Sequence, residues 1–528
     1  MTAFIQLRAA TLNRVAPPEI MAIDVTSEEN EVFTLLDECT QYLAKEHGLT
    51  TSCRVAGGWV RDKLLGSDSN DIDIALEDMM GLTFAEHFVQ FVAREKGIAE
   101  AKVTKIERNP DQSKHLETAR AKVLDTELDL VNLRSEAYTE GSRIPSDIGL
   151  SDLRNGVIRT PLPPRETFLD DPLRVIRRFN FELVPELRHA AMDPEIQDAF
   201  VHKISRERVG EELDKMLKGR DPLLSIRLIH EISLYKIIFT IPPAISDTFS
   251  SAPGPPILSL AAATILQALI CPVSANASFK DLGPVHPTLI STVNSSKGTR
   301  ALLFLASALT PFRGITYTDA KKKTHAAVEA AVREGTRLGT QNHYLDGVGP
   351  LFAAAELLKN SSLENDKLHL LSERVALGLL LREKVVHNPN TGSHWTTSIL
   401  FSLVQELMAF YDAEKDQMNV REASTIINKY NTFLQRIEEL GLPNDVDAKP
   451  LLDGRRVSQL LGAKPGQWTG QVLAKVVEWQ LGHPDGTVAE CETWLKGEHE
   501  AGRIRAEDVG GKRGTGGGEN SNTKKAKR

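Results

Sequence analysis

Cysteine is scarce in this chain: four in 528 residues, at Cys39, Cys53, Cys271 and Cys491. They are far apart and form no Cys-x-x-Cys pair. That argues against a disulfide framework or a zinc site and fits a reducing compartment. Long apolar runs are missing as well. The longest, Ile257 to Ile270, is too short and too interrupted to cross a bilayer, so it reads as a buried helix and no membrane partner is expected. Nor is there an excess of positive charge. The net charge is −8, so a nucleic-acid partner has to be held by local basic patches rather than by the whole surface. What remains, 41% hydrophobic and 25% charged residues, is ordinary for a globular protein long enough for several cores.

Against this plain background one stretch stands out, Arg54 to Leu76. It reads as strand, glycine turn, short helix, loop, strand. Gly57 and Gly58 lie between an apolar strand end and a helix start, where the backbone can approach a phosphate closely and free N–H groups attract anions. Further on, Asp71 and Asp73 are two residues apart in an alternating run. On a strand both lie on one face, with Ile72, Ile74 and Leu76 on the other. Two carboxylates on one strand face beside a phosphate-cradling turn suit a divalent-metal phosphoryl-transfer site, since Mg²⁺ takes oxygen ligands. Each half alone is as easily a tight turn or a solvated strand edge; the order Gly-Gly-x-x-Arg-Asp followed by Asp-x-Asp is more specific.

That order resembles the nucleotidyltransferase signature of the DNA polymerase beta superfamily. The wording Gly57-Gly-Trp-Val-Arg-Asp-Lys-Leu-Leu-Gly66 is similar to the class II tRNA nucleotidyltransferases of eukaryotes, the CCA-adding enzymes related to bacterial poly(A) polymerases. The resemblance implies that Asp71 and Asp73 hold two Mg²⁺ ions. One lowers the pKa of the tRNA 3′-hydroxyl and the other bridges the triphosphate. Gly57, Gly58 and Arg61 would then cradle the phosphates, with Asp62 also among the nucleotide-binding residues. A third acid comes from a neighbouring strand in this superfamily. Asp129, in Glu127-Leu-Asp-Leu-Val-Asn-Leu-Arg134, is the match. It sits on the second arm of an expected hairpin that turns at Asp125-Thr126.

A second resemblance lies in Val157 to Arg177. The proline run is extended, and Asp170 or Asp171 caps a helix with Pro172 at its first position. In the family this acid–acid–x–x–Arg element reads the incoming base, because an arginine fork and a carboxylate together match its Watson–Crick edge. The resemblance carries that role to Asp170, Asp171 and Arg174, and a nucleotide contact to Arg177. Ser205 to Gly219 resembles the family's closing neck helix, on which Arg208, Glu212 and Lys215 read as a structural ion-pair lattice.

Two segments of the family pattern are absent. After Tyr138 to Pro145 the family carries an Arg-Arg-Asp segment whose arginine grips the triphosphate. Here Ser146-Asp-Ile runs straight into Gly149-Leu-Ser-Asp-Leu-Arg-Asn-Gly156, and Arg-Arg-Asp occurs nowhere in the chain. The loss should remove a sheet strand and a strong charge-assisted contact. Beyond Arg177 the family's helical turn is also missing, so the neck helix should be short.

The fold expected is α+β and multidomain: a polymerase-beta-like head with a small mixed sheet, then an all-α neck, body and tail. Residues 1–27 are a disordered or mitochondrial targeting segment, because 1–23 are basic, hydroxylated and acid-poor until Glu19, with Met21 as an alternative start. The head spans 28–155, the neck 156–220, the helical body 221–440, a tRNA-binding helical tail 441–505, and a disordered basic end 506–528. In the tail, helix, Lys464-Pro-Gly turn and helix offer Lys464 and Lys475 to an RNA backbone. The terminal Lys524-Lys-Ala-Lys-Arg528 suits nuclear import or RNA tethering. The expected activity is template-independent addition of CCA to the tRNA 3′ end from CTP and ATP, in mitochondria and cytoplasm and also in the nucleus. Three alternatives stay open: an A-adding polymerase of the same family, an impaired tRNA-binding relative lacking the Arg-Arg-Asp segment, or gaps introduced in reading the gene.

Overall fold

The computed structural model describes residues 4–8, 18–66, 71–97, 103–106, 118–124, 126–132, 146–160, 163–176, 182–219, 221–271, 282–359 and 372–506. The chain forms two compact units. One comprises residues 1–359 and 389–430, the other 360–388 and 431–528. The expected body therefore divides differently: residues 360–388 join the second unit, and the unit boundary falls inside the helix Val420–Glu439 rather than near 440.

Within the first unit, the short strand β1 (Phe4–Ile5) precedes the head, which opens with α1 (Ser27–Tyr42). Thr26 and Glu29 close a reciprocal capping box, with the Thr26 hydroxyl accepting from the Glu29 amide at 3.2 Å and the Thr26 amide donating to Glu29 Oε2 at 2.8 Å. Val32, Leu35, Leu36 and Cys39, spaced for one helical face, are buried. The head continues with β2 (Cys53–Ala56), α2 (Gly57–Leu64), β3 (Asp71–Leu76), α3 (Gly81–Lys96), β4 (Val103–Ile106), β5 (Thr118–Val123) and β6 (Thr126–Asn132). These strands form one sheet in the order β2-β3-β6-β5-β4, with β3 and β6 parallel and the other pairs antiparallel. Strict alternation separates its faces. Ile72, Ile74, Leu76, Ala119, Ala121, Leu128 and Leu130 pack with α1 and α3 into one core, leaving the acidic and basic positions on the opposite face. A Cβ on Gly81 would collide with the Leu130 carbonyl, so this glycine lets α3 lie directly on β6.

Residues 133–145, with the Tyr138–Pro145 run among them, lie outside the described set. The helix Ser146–Asn155 leads into β7 (Val157–Ile158), which pairs in parallel with β8 (Glu182–Leu183). Among the described residues no further strand joins the head sheet between β6 and β7. The helix Pro164–Asp170 ends at Asp171, and only a four-residue 3₁₀ turn, Pro172–Val175, succeeds it. The expected short neck helix is thus tighter than α. Then α4 (Arg206–Lys218) buries Val209, Leu213, Met216 and Leu217, with Ser205 as its cap. Arg206 pins it to the body: its guanidinium donates to the carbonyls of Gly335, Ile237 and Ile238. Burial lowers its pKa to about 10.

The body is largely helical, and Ile257–Ile270 is the buried helix expected from its apolar run. It is not all-α, however. It carries the hairpin β9 (Thr316–Thr318) and β10 (Thr324–Ala326), and a second hairpin, β11 (Tyr411–Asp412) and β12 (Gln417–Asn419). Strand β1 adds to β12, so the N-terminal segment is not wholly disordered. The amides of Leu7 and Arg8 donate to Asp416 Oδ1 at 3.0 and 2.9 Å, and Leu7 is 1% exposed. No described helix is long and apolar enough to cross a membrane.

The second unit packs Gly454–Leu461, Gln467–Gly482 and Val488–Glu500 around Val457, Trp468, Val472, Val476, Cys491 and Leu495. The helix–turn–helix around Lys464-Pro-Gly is as expected.

Candidate active site

The sheet places the singled-out acids in rows. Asp73 on β3 pairs with Ala56 on β2 and, on its other side, with Asp129 on β6; Asp129 in turn faces Arg120 on β5. Two residues back along β3, position 71 stands beside Glu127, which faces Lys122. The acids lie on the polar face because every intervening residue is held in the core.

Immediately after Ala56, Gly57 starts α2 with φ +73°, a left-handed value that favours glycine. A Cβ there would collide with Asp73 Oδ2 and Cγ. Gly57 is therefore required twice, for its backbone angle and for the space the Asp73 carboxylate occupies. Gly58 faces the Arg61 guanidinium, with a built Cβ 3.5 Å from Nη2. Arg61 is held by Asp62 through two hydrogen bonds, Nε to Oδ1 at 2.7 Å and Nη2 to Oδ2 at 2.9 Å.

Sequence reasoning missed what anchors α2. Lys63, 7% exposed, lies 2.9 Å from Glu29 Oε2, and Trp59 Nε1 donates to Glu29 Oε1 at 2.9 Å. Lys63 also stands 5.6 Å over the Trp59 ring. Burial works against the Glu29 charge, but Lys63, the Thr26 amide and Trp59 together hold its carboxyl below the ordinary 4.5. The signal was available in Trp59 and Lys63, one helical turn apart.

Asp129, expected as the third acid, is paired with a basic residue on the neighbouring strand. Arg120 Nε and Nη2 donate to its two carboxylate oxygens, both at 2.8 Å. Arg120 Nη1 also lies 3.8 Å from Glu127.

A second cluster lies in the neck. Asp171 is buried at 3% exposure and caps the 3₁₀ turn by accepting from the Leu173 amide at 3.3 Å. Arg174 is 3.3 Å from Asp170 and 3.7 Å from Asp171, the latter an i,i+3 pairing that the eclipsed 3₁₀ geometry brings together. Arg208 on α4 reaches to 3.8 Å of Asp171, and Lys215 pairs with Glu212 at 3.4 Å, as the expected lattice. Arg177 lies outside the described residues. In the second unit Lys475 is paired with Glu478 at 2.7 Å, and the Lys464 carbonyl accepts from Trp468 Nε1 at 3.1 Å.

The same stretches are similar in sequence to known proteins. Residues 53–159 match the poly A polymerase head domain, and residues 181–248 match the probable RNA and SrmB-binding site of polymerase A. The mitochondrial CCA tRNA nucleotidyltransferase of Saccharomyces cerevisiae is 33% identical over 90% of this chain and 93% of its own length. The chain belongs to the CCA tRNA nucleotidyltransferase family. The Candida glabrata member, also mitochondrial, is 32% identical over 90% of this chain and 96% of its own. Among solved structures, the Thermotoga maritima CCA-adding enzyme complexed with tRNA is similar at a TM-score of 0.46 and 18% identity, covering 94% of this chain and all of that one. The head match spans the glycine turn, the Asp-x-Asp strand and the hairpin of Asp129, so the family resemblance and the row geometry coincide in the same residues.

Proposed function

We infer that this chain completes the CCA end of tRNA without a nucleic-acid template, taking CMP from CTP and AMP from ATP. The observation that carries this is the coincidence of Gly57, shaped around the Asp73 carboxylate, with full-length similarity to enzymes of that name. The 3′-hydroxyl oxygen of the tRNA gives up its proton to solvent and forms a bond to the α-phosphorus, the bond from that phosphorus to the bridging oxygen breaks, and pyrophosphate leaves with the electron pair.

The donor set at Asp71 and Asp73 is carboxylate only, and Asp73 has room kept for it by Gly57, which fits a hard cation such as Mg²⁺ completed by substrate phosphates. Mg²⁺ bound there supplies activation of the hydroxyl and neutralisation of the leaving pyrophosphate. The start of α2 and Arg61 orient the triphosphate, with Arg61 exchanging Asp62 for phosphate oxygen. Asp170, Asp171 and Arg174 read the base, with Arg208 steadying Asp171, and Arg177 contacts the nucleotide. The tail around Lys464 and Lys475 meets the RNA backbone. The relatives named mitochondrial support a mitochondrial site of action; cytoplasmic and nuclear pools are inferred from Met21 and from the basic end.

The test supplies tRNA lacking CCA with CTP, ATP and Mg²⁺. Sequential incorporation of two C and one A is expected; incorporation from ATP alone would make the chain an A-adding polymerase. A specific observation favours one rival. The Arg-Arg-Asp segment is absent from the sequence and the base-reading element is a four-residue 3₁₀ turn. Binding of tRNA without any transfer would therefore assign the chain to an inactive tRNA-binding role.

A further inference from the structure

The hairpin β9–β10 departs from the helical body around it, and its two faces differ. Tyr317 and His325, register partners, stack on the inner face with ring centroids 5.3 Å apart, and Arg333 Nη2 donates to the Tyr317 hydroxyl there at 2.6 Å. Thr318 and Thr324, also partners, are exposed. Between them the chain turns through Asp319-Ala-Lys-Lys-Lys323, and every residue from Ala320 to Thr324 is exposed. Asp319 is the only acid between Arg313 and Val328.

The turn keeps that acid away from the lysine ammonium groups. The Lys322 amide donates to the Asp319 carbonyl, and the Asp319 amide to the Lys323 carbonyl, both at 2.9 Å. Asp319 Oδ1 accepts from the amides of Lys321 and Lys323 at 2.9 and 2.8 Å, and Oδ2 lies 3.0 Å from His325 Nε2. Both carboxylate oxygens are thus occupied by backbone and histidine. Among the described residues no carboxylate forms an ion pair with Lys321, Lys322 or Lys323.

Backbone geometry adds an independent observation. Lys322 has φ +60°, the left-handed position that glycine usually takes after such a turn. Lysine is disfavoured there on conformational grounds, so the turn itself does not call for this side chain. The hairpin is also firmly based. The Thr316 amide donates to Ser250 Oγ at 3.0 Å, and its carbonyl accepts from the Ser250 amide at 2.8 Å. Beyond β10 the chain reaches Thr336, whose carbonyl fills the space a Cβ on Gly210 of α4 would need. The basic tip is therefore held on an element anchored to the neck, which limits the ordering cost of binding.

We propose that the β9–β10 tip, with Lys321, Lys322 and Lys323 above Thr318 and Thr324, grips the sugar-phosphate backbone of the bound tRNA, outside the residues assigned to nucleotide transfer. This rests on the tRNA reading given above. A protein that finishes every tRNA meets one shape and many sequences. Ammonium and hydroxyl groups on phosphate oxygens suit that task, because such contacts position the nucleic acid and carry no sequence information. The tip is one of the local basic patches that a chain of net charge −8 needs in order to hold a polyanion.

The test measures retention of tRNA lacking CCA by the full chain on filters across a series of KCl concentrations. Lys321→Gln, Lys322→Gly and Lys323→Gln should each reduce the slope of log affinity against log salt by about 1. Together they should reduce it by about 2 or more and weaken binding about 30-fold or more at about 0.15 M salt. Lys322→Gly is the sharpest single variant. Glycine suits the backbone there, so the melting temperature should not fall although RNA binding does. Lys322→Arg keeps the charge and should keep the parent slope. A triple variant that melts like the parent and keeps its slope and affinity would overturn the proposal. So would an unchanged tRNA slope accompanied by lost binding of polyglutamate, which would assign the tip to an acidic protein partner. Failure of the parent itself to retain tRNA would sink the tRNA reading, and the proposal with it.

Discussion

At the scale of the residue, Gly57 carries the most consequence for its size. Alanine there needs a left-handed backbone and places a methyl where Asp73 Oδ2 stands. The backbone term alone is about 1–3 kcal/mol. The larger effect is on the carboxylate, since about 1 Å of misplacement can cost 100-fold in rate. Gly57→Ala is therefore expected to reduce CCA addition by about 100-fold or more, while tRNA binding, measured by filter retention, stays near the parent value. Gly58→Ala, with a built Cβ at 3.5 Å from Arg61, should be milder and appear mainly as a higher KM for CTP and ATP. The Asp71-Ile-Asp73 alternation could be read from sequence because a strand has one period and one outcome. The Arg120–Asp129 fork could not. Local sequence does not say which strand lies beside Asp129, and the pair emerges only once β5 and β6 are in register.

At the scale of the element, α2 depends on a buried charge pair. Lys63→Met would leave Glu29 with an uncompensated buried charge, which costs about 3–5 kcal/mol. Glu29→Gln with Lys63→Met should recover much of that loss, and thermal melts of the two proteins measure the difference. The pair also sets a pH dependence. Glu29 has a folded-state pKa below its ordinary 4.5, so its contribution is present above that value and is lost as pH falls through the lowered one. Acidification from about pH 5 should thus destabilise the parent more steeply than Glu29→Gln. Head helices, hairpin and α4 were legible because apolar spacing and caps agree locally. The neck turn after Asp171 was legible only in part: Pro172 and the acid cap mark a start, whereas the 3₁₀ winding reflects how little helix-forming sequence lies beyond them. Cys39 and Cys53 are unpaired, as their spacing indicates, and burial pushes both thiols up to about 12, so neither should react with iodoacetamide at pH 8 before the head unfolds.

At the scale of the whole molecule, composition indicated a multidomain chain but not where it divides. Residues 360–388 belong with 431–528, a pairing of distant segments that no local pattern announces. The N-terminal strand was illegible for a related reason: Phe4 to Arg8 have little structure of their own and acquire it from β12 and Asp416, more than 400 positions along. A form beginning at Met21 loses this strand, the burial of Leu7 and two amide bonds to Asp416. At about 1.5–3 kcal/mol for the side chain and about 0.5–1.5 for each hydrogen bond, a deficit of about 2–4 kcal/mol is expected after the ordering cost. Comparison of melting temperatures for the two forms checks it.

That strand also bears on delivery. Passage through a translocation pore requires a presequence that is extended and readable, whereas here part of the leading segment is zipped to a hairpin as soon as the body is complete. On the proposal that residues 1–27 carry a mitochondrial address, folding competes with its recognition, and weakening the β1–β12 seam with Leu7→Ala should then move the balance toward import in a pulse-chase assay.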